Sequence, residues 1–290
     1  MGTLRFSPAV LLLMAPAFAL YGLFFILPFV RTVYYSFFDW NGFSDPAFVG
    51  PANYAELIGD ELFLRGVARA ALWAALAVLL KVGSALVLAA MLRVPIAGSR
   101  IFTTAFFVPV VISSAAISLM FTLIYDLDAG LLNALLRAVG LASWTRSWLG
   151  DEATALLAVI AVPVWHTIGY FLVILLAAMQ GVPKELYESA ALDGAGRWIV
   201  FSRITVPMIW TTLQVCVVLA ITAAFKSFDY VFVMTRGGPG TSTQVPATYM
   251  YETIFIGLKF GYGTAIAIAI FLIGLVSTVV FRRLTRPRSL

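Results

Sequence analysis

"PKELYESAALDGAGRWIVFSRITVP", Pro183 to Pro207, is polar, partly charged and helix-prone, yet long apolar runs flank it on both sides. Pro183 suits a first helical turn, Glu185 and Glu188 favour the positive N-terminal half of a helix, and Gly194 can take the left-handed conformation that ends one. These signals predict a helix over 183–193. So short a helix is marginal alone in water, where roughly 12–15 residues are needed, and another surface must hold it. Ser189, Ala190 and Ala191 leave one side almost without protruding side chains, with Leu186 and Tyr187 at its edge, which permits close approach to a neighbour. Beyond Gly194 and Gly196, the residues Trp198, Phe201 and Ile204 recur every third position and make an amphipathic turn suited to a membrane interface.

The flanking runs set the class. The chain has 290 residues, 62% hydrophobic and 11% charged, whereas soluble domains run at roughly 45–50% apolar and 25% charged. Crossing a hydrocarbon layer of about 30 Å takes about 20 helical residues. Six runs qualify, over about 8–36, 66–92, 101–125, 154–180, 207–234 and 262–282. Backbone groups in lipid must bond internally, and continuous apolarity without strict alternation selects helices over a barrel. The expectation is an all-α polytopic membrane protein with six transmembrane helices in a single domain over 1–290. No internal repeat, low-complexity segment or linker divides it. Ala15-Pro16-Ala17 has the form of a signal-peptide cleavage site, but apolarity continues to Val30, so the first run is read as a retained span.

Orientation follows from where Lys and Arg fall, because cytoplasmic loops carry the excess. Arg5, Arg93, Arg100, Lys184, Arg197, Arg203 and the terminal Arg282, Arg283, Arg286 and Arg288 all fall on one side. The opposite loops hold fewer cations in longer stretches and most of the carboxylates, including Asp39, Asp60, Asp126 and Asp151. Both termini and the loop at about 182–207 are therefore expected in the cytoplasm. The net charge of +5 is explained by this sidedness and forms no stripe for nucleic acid.

Catalytic constellations are excluded by residue type. With one histidine and one cysteine, Cys216, the chain holds no disulfide framework, Cys-based metal site, H-E-x-x-H pair or Cys-His dyad, and no G-x-S-x-G elbow is present. A phosphate-cradling G-x-x-x-x-G-K-[ST] loop is also missing; the nearest glycine cluster, "GGPGTSTQ" (Gly237 to Gln244), has no lysine.

Glu188-Ser189-Ala190, Asp193-Gly194-Ala195 and then Phe201, Ile204 and Pro207 resemble the cytoplasmic EAA loop of permease subunits in binding-protein-dependent ABC importers. Ser189 stands where that family usually has alanine, and Val206 where it usually has leucine; both changes keep the helix and the bend. "SFFDWNGF" (Ser36 to Phe43), "NYAELIGD" (Asn53 to Asp60), "FDYVFVMTRGGPGTST" (Phe228 to Thr243) and "FGYGTAIAIAIFLI" (Phe260 to Ile273) extend the likeness over nearly the whole chain. They narrow it to the carbohydrate-type permeases related to the maltose and glycerol-3-phosphate importers.

The resemblance implies a type I, MetI-like permease fold in the bacterial inner membrane. It implies a non-enzymatic subunit supplying half of a heterodimeric pore with a second homologous permease, for a sugar or sugar-like solute. An extracytoplasmic binding protein would deliver that solute. An ATPase dimer would bind ATP and Mg, and this chain would carry no cofactor of its own. The residues implied to couple to the ATPase are Tyr187, Glu188, Ser189, Ala190, Ala191, Asp193, Gly194 and Ala195.

Candidates for the solute pathway are polar groups inside spans, which cost about 2.5–3.5 kcal/mol for a lysine at a helix centre and need a partner or a wet cavity. Trp165, His166 and Tyr170 lie mid-span in the fourth run, and Thr222, Lys226 and Asp229 near the outer end of the fifth. Each also has a structural reading. His166 reads as a hydrogen-bonded core group, Lys226 and Asp229 as an i,i+3 pair, Lys81 as a bundle-facing lysine and Gln214 as a bond across helices. A pore or scaffold subunit driven by no nucleotide would share the spans and the charge bias, but has no use for the EAA-like loop.

Overall fold

The computed structural model describes residues 8–93 and 98–285. Arg5, Arg286 and Arg288, and residues 94–97 between the second and third apolar runs, lie outside the described residues. In chain order come α1 (Leu12–Tyr35), a two-stranded pair β1 (Phe38–Asp39) and β2 (Ala47–Phe48), α2 (Ala52–Gly59) and α3 (Glu61–Leu92). Next are α4 (Ser99–Val111), α5 (Ser114–Ile124), α6 (Leu131–Ala138) and α7 (Glu152–Gln180). The chain continues through α8 (Lys184–Leu192), α9 (Arg197–Met208), α10 (Trp210–Phe225), α11 (Asp229–Met234), α12 (Pro246–Tyr251) and α13 (Phe260–Leu284).

Among the described residues four helices, α1, α3, α7 and α13, are each long and apolar enough to cross a membrane. Two further spans are bent pairs, α4 with α5 at 99° and α9 with α10 at 75°, so the six expected crossings are present when each pair counts as one. The bends were not expected. Ile112 and Ser113 are extended, at ψ 144° and 140°, and Ser113 then accepts from the Ala116 amide to start α5 in a new direction. The fifth run is also interrupted between α10 and α11, so 207–234 is not one rod.

The contacts group into two compact units, residues 1–60 with 250–271, and residues 61–249 with 272–290. Of the four unbroken spans α7 is the most buried. Asp151 starts it by accepting from the Ala153 amide at 2.9 Å. Small residues let neighbours close on it: Ala85 and Ala89 of α3 are fully buried in one core with Leu172, Leu175 and Met179 of α7. At Gly169 a Cβ would come within 2.0 Å of the Phe106 carbonyl oxygen, so α4 crosses α7 at a distance only glycine permits. The loop between α5 and α7 is organised by buried Asn133, whose amide donates to the Asp126, Leu127 and Arg146 carbonyls and accepts from Trp148 Nε1.

In the smaller unit, Asn53 Nδ2 donates to the Ser36 and Phe38 carbonyls, both at 2.9 Å. The Gly261 amide donates to the Trp40 carbonyl at 3.0 Å, and the Tyr262 hydroxyl donates to Asp60 Oδ2 at 2.6 Å. Three stretches singled out separately in the sequence, around Trp40, Asn53 and Tyr262, thus interlock.

Candidate functional site

The polar loop forms the expected helix, α8, bounded by Pro183 and the Asp193-Gly194 end. Gly194 has φ +69°, the left-handed cap read from the sequence. Its amide donates to the Ala191 carbonyl at 3.1 Å and the Ala195 amide to the Ala190 carbonyl at 2.9 Å, the paired bonds of a Schellman cap. The eight residues of this loop do not share one face. Ala190 is buried and Tyr187 half-buried, both against the chain's own body, while Glu188, Ser189, Ala191, Asp193 and Gly194 are exposed. Tyr187 lies under the Arg93 guanidinium, 3.6 Å from ring centroid to Cζ, with its hydroxyl 3.3 Å from Thr205 Oγ1. That contact supplies the support so short a helix requires. The apolar Leu192 is 90% exposed on the outer side, which composition alone did not single out.

Within the larger unit, a cavity of about 420 Å³ opens among α3, α7, α10 and α11. Lys81, Tyr170, Lys226 and Asp229 line it, with Trp73, Phe171, Phe228 and Tyr230 as aromatic walls. Lys81 lies in a wide π-type turn of α3, Ala77–Val82, and is buried, its ammonium 5.5 Å from the Phe171 ring centroid. Among the described residues it makes no ion pair, and Lys226 and Asp229 do not pair with each other. Asp229 instead accepts from Ser114 Oγ across to α5.

The other pathway candidates lie outside the cavity lining. His166 is the hydrogen-bonded core group: Nε2 lies 3.1 Å from the Ile112 carbonyl and Nδ1 2.7 Å from the Tyr230 hydroxyl. A carbonyl only accepts, so Nε2 carries the proton, and in the neutral ring Nδ1 accepts from Tyr230. His166 therefore orients a wall residue. Trp165 packs on Phe121 at 5.4 Å, and Thr222 donates back to the Val218 carbonyl of its own helix. Gln214 does bond across helices, its Nε2 donating to the carbonyl and Oγ1 of Thr285, each at 2.8 Å. Tyr230 and Trp73 went unrecognised in the sequence because aromatic residues in apolar runs are commonplace.

The family described as "Binding-protein-dependent transport system inner membrane component" matches residues 82–288, which include both α8 and the residues around Lys226. The chain belongs to this family. As an inner-membrane component of this family it is a polytopic membrane protein of binding-protein-dependent transport. The Bacillus subtilis protein named "Probable ABC transporter permease protein YurN" is 41% identical over 256 residues, 87% of this chain and 88% of that one. The diacetylchitobiose uptake system permease NgcF of Streptomyces coelicolor is 35% identical over 270 residues, 89% of this chain and 76% of that one. Such relatives are transporter permease subunits rather than enzymes. For the fold, a chain of a bacterial ABC transporter that imports the acidic polysaccharide alginate superposes with a TM-score of 0.84 at 22% identity, covering 97% of this chain and 96% of that one. The inner-membrane permease fold expected of six apolar runs and an EAA-like loop is the fold this family member has.

Proposed function

We propose that the chain is one of two homologous pore-forming permeases of an ATP-driven importer for sugars or sugar-like solutes, and that α8 is its contact with the ATPase. The observation that carries this reading is the geometry of α8: a capped, externally braced helix presenting Glu188, Ser189, Ala191 and Leu192 outward. Relatives named for diacetylchitobiose uptake and for multiple-sugar transport support the solute class. A related transporter solved with an alginate-pentasaccharide-bound periplasmic protein supports delivery by an extracytoplasmic binding protein.

In this reading ATP and Mg bind to a separate ATPase dimer, and both termini of the permease face the cytoplasm. Closure of the ATPase moves α8 as a rigid body, and the packed helices joined to it switch between inward and outward openings. The exposed Glu188 carboxylate meets a cation on the ATPase, and Leu192 fills an apolar part of its groove. The solute passes the aromatic and polar walls of the cavity lined by Tyr170, Lys226 and Asp229.

Single cysteines test the contact, because the native Cys216 is buried. Cysteine at Leu192 or Ala191 is expected to crosslink to the ATPase in the assembled transporter, and cysteine at the inward-facing Ala190 is not. Absence of crosslinks from both outer positions, with and without nucleotide, would remove α8 as the coupling element.

A further inference from the structure

A second, larger cavity lies beside α8. It has a volume of about 930 Å³ and is floored by Val87, Ala90 and Met91 on the last turns of α3 and by Val200 and Phe201 on α9. Arg93 and Arg197 line it, and Trp198, 75% exposed, stands at its edge. From Val87 to Arg93 the helix rises about 9 Å, the depth between headgroups and upper acyl chain that an interfacial residue set reaches. Arg93 follows directly on the membrane-crossing α3, and Arg197 opens the bent pair of α9 and α10. With α3 spanning a bilayer, Arg93 falls at the end of the span and Val87, Ala90 and Met91 fall within its last turns.

The arginines have donors to spare. The Arg93 Cζ lies 3.6 Å from the Tyr187 ring centroid, a contact that uses none of the guanidinium N–H groups as hydrogen-bond donors. Among the described residues neither the Arg93 nor the Arg197 guanidinium donates to an acceptor. A phosphodiester held by two guanidinium groups, above a trough that takes one acyl chain, matches the cavity in charge and polarity. We propose that this cavity is a binding site for an anionic phospholipid, seated on Arg93 and Arg197. The inference goes beyond the transport reading and takes from it only the cytoplasmic side of α8, where anionic lipids give the leaflet its negative surface. A lipid there wedges between the end of α3 and the loop, so membrane composition sets how firmly α8 is held.

Trp198 reports on the site directly. The assembled transporter is reconstituted in phosphatidylcholine vesicles containing either phosphatidylglycerol or phosphatidylcholine brominated near the headgroup end of the acyl chain. Trp198 emission is read as the difference from Trp198→Phe. Brominated phosphatidylglycerol is expected to quench at the lower mole fraction, with the preference falling roughly fivefold for each arginine removed, the factor that about 1 kcal/mol per cation gives. Arg197→Gln is the cleaner variant, since Arg93→Gln also removes the stack on Tyr187. Equal quenching by the two lipids, or a preference surviving the double variant, would overturn the site. So would protection of Trp198 from both lipids in the assembled transporter, which would give the cavity to a partner protein. A preference abolished by added inorganic phosphate would assign the arginines to a free anion instead. Failure of the α8 crosslinks would leave the lipid preference intact, so the two readings fail separately.

Discussion

The Arg93 guanidinium lies 3.6 Å from the centre of the Tyr187 ring, tying the membrane end of α3 to the inner face of α8. A stacked cation of this kind contributes about 0.5–1 kcal/mol when exposed and about 2 when desolvated. Tyr187→Ala is expected to loosen α8 without removing the chain from the membrane. Tyr187→Phe keeps the stack and loses only the hydroxyl contact to Thr205. ATP hydrolysis stimulated by the solute-loaded binding protein should therefore fall steeply in the alanine variant and stay near the parent level in phenylalanine. Equal losses in both would place the importance on the hydroxyl instead.

The cap at Gly194 makes a second, independent demand. At φ +69° a side chain is strained by about 1–2 kcal/mol, although nothing lies within 4 Å of the Cβ position. Conformation, not space, is the constraint. Gly194→Val is expected to fray the end of α8 and lower stimulated ATP hydrolysis strongly, while Gly194→Asn, which tolerates the left-handed region, retains most of it. The order of the two variants decides the matter: asparagine as damaging as valine would point to a contact made by the exposed backbone.

Asn53 allows a prediction about stability alone. Its amide is buried and satisfies the carbonyls of Ser36 and Phe38. Asn53→Leu leaves both carbonyls without that donor, and a buried unsatisfied group costs about 1–3 kcal/mol. The purified chain should melt at a clearly lower temperature in detergent. Asn53→Gln would recover little, because its longer stem moves the amide off both acceptors. An unchanged melting temperature for Asn53→Leu would mean that water replaces the amide in the smaller unit.

What the sequence disclosed about this molecule was local. Pro183, the acidic first turn and Gly194 act within a few residues of themselves, so the bounds and cap of α8 were readable without knowing its surroundings. Which of Ala190 and Ala191 faces inward depends on what packs beneath the helix, and no spacing within the loop carries that. The apolar runs gave six crossings because lipid demands length and composition. They concealed the 99° and 75° bends because apolarity records exposure to lipid, not chain direction. Polar groups in spans drew attention to Lys81, Tyr170, Lys226 and Asp229, and the cavity collects those four. His166 drew the same attention for a different reason, since its partners Ile112 and Tyr230 stand 54 and 64 residues away and are visible only in three dimensions.

Lys81 separates a structural from a functional origin for a buried membrane cation. It is 5% exposed, stands in the π-type turn of α3 and holds its ammonium 5.5 Å from the Phe171 ring centroid on the cavity wall. Such turns recur at functional positions, and a lysine in mid-span opposes insertion by about 2.5–3.5 kcal/mol. If the ammonium served packing alone, Lys81→Met would leave transport near the parent level, and only stability would register the loss of the contact with Phe171. If it serves the solute path, the same change removes the insertion penalty and the hydrated cation together. The expected outcome is a melting temperature equal to or above the parent, with stimulated ATP hydrolysis and uptake reduced several-fold. Lys81→Arg, which keeps the charge but adds a planar fork in a cavity of about 420 Å³, should retain stability and recover part of the transport. A less stable Lys81→Met with normal transport would return this lysine to the scaffold.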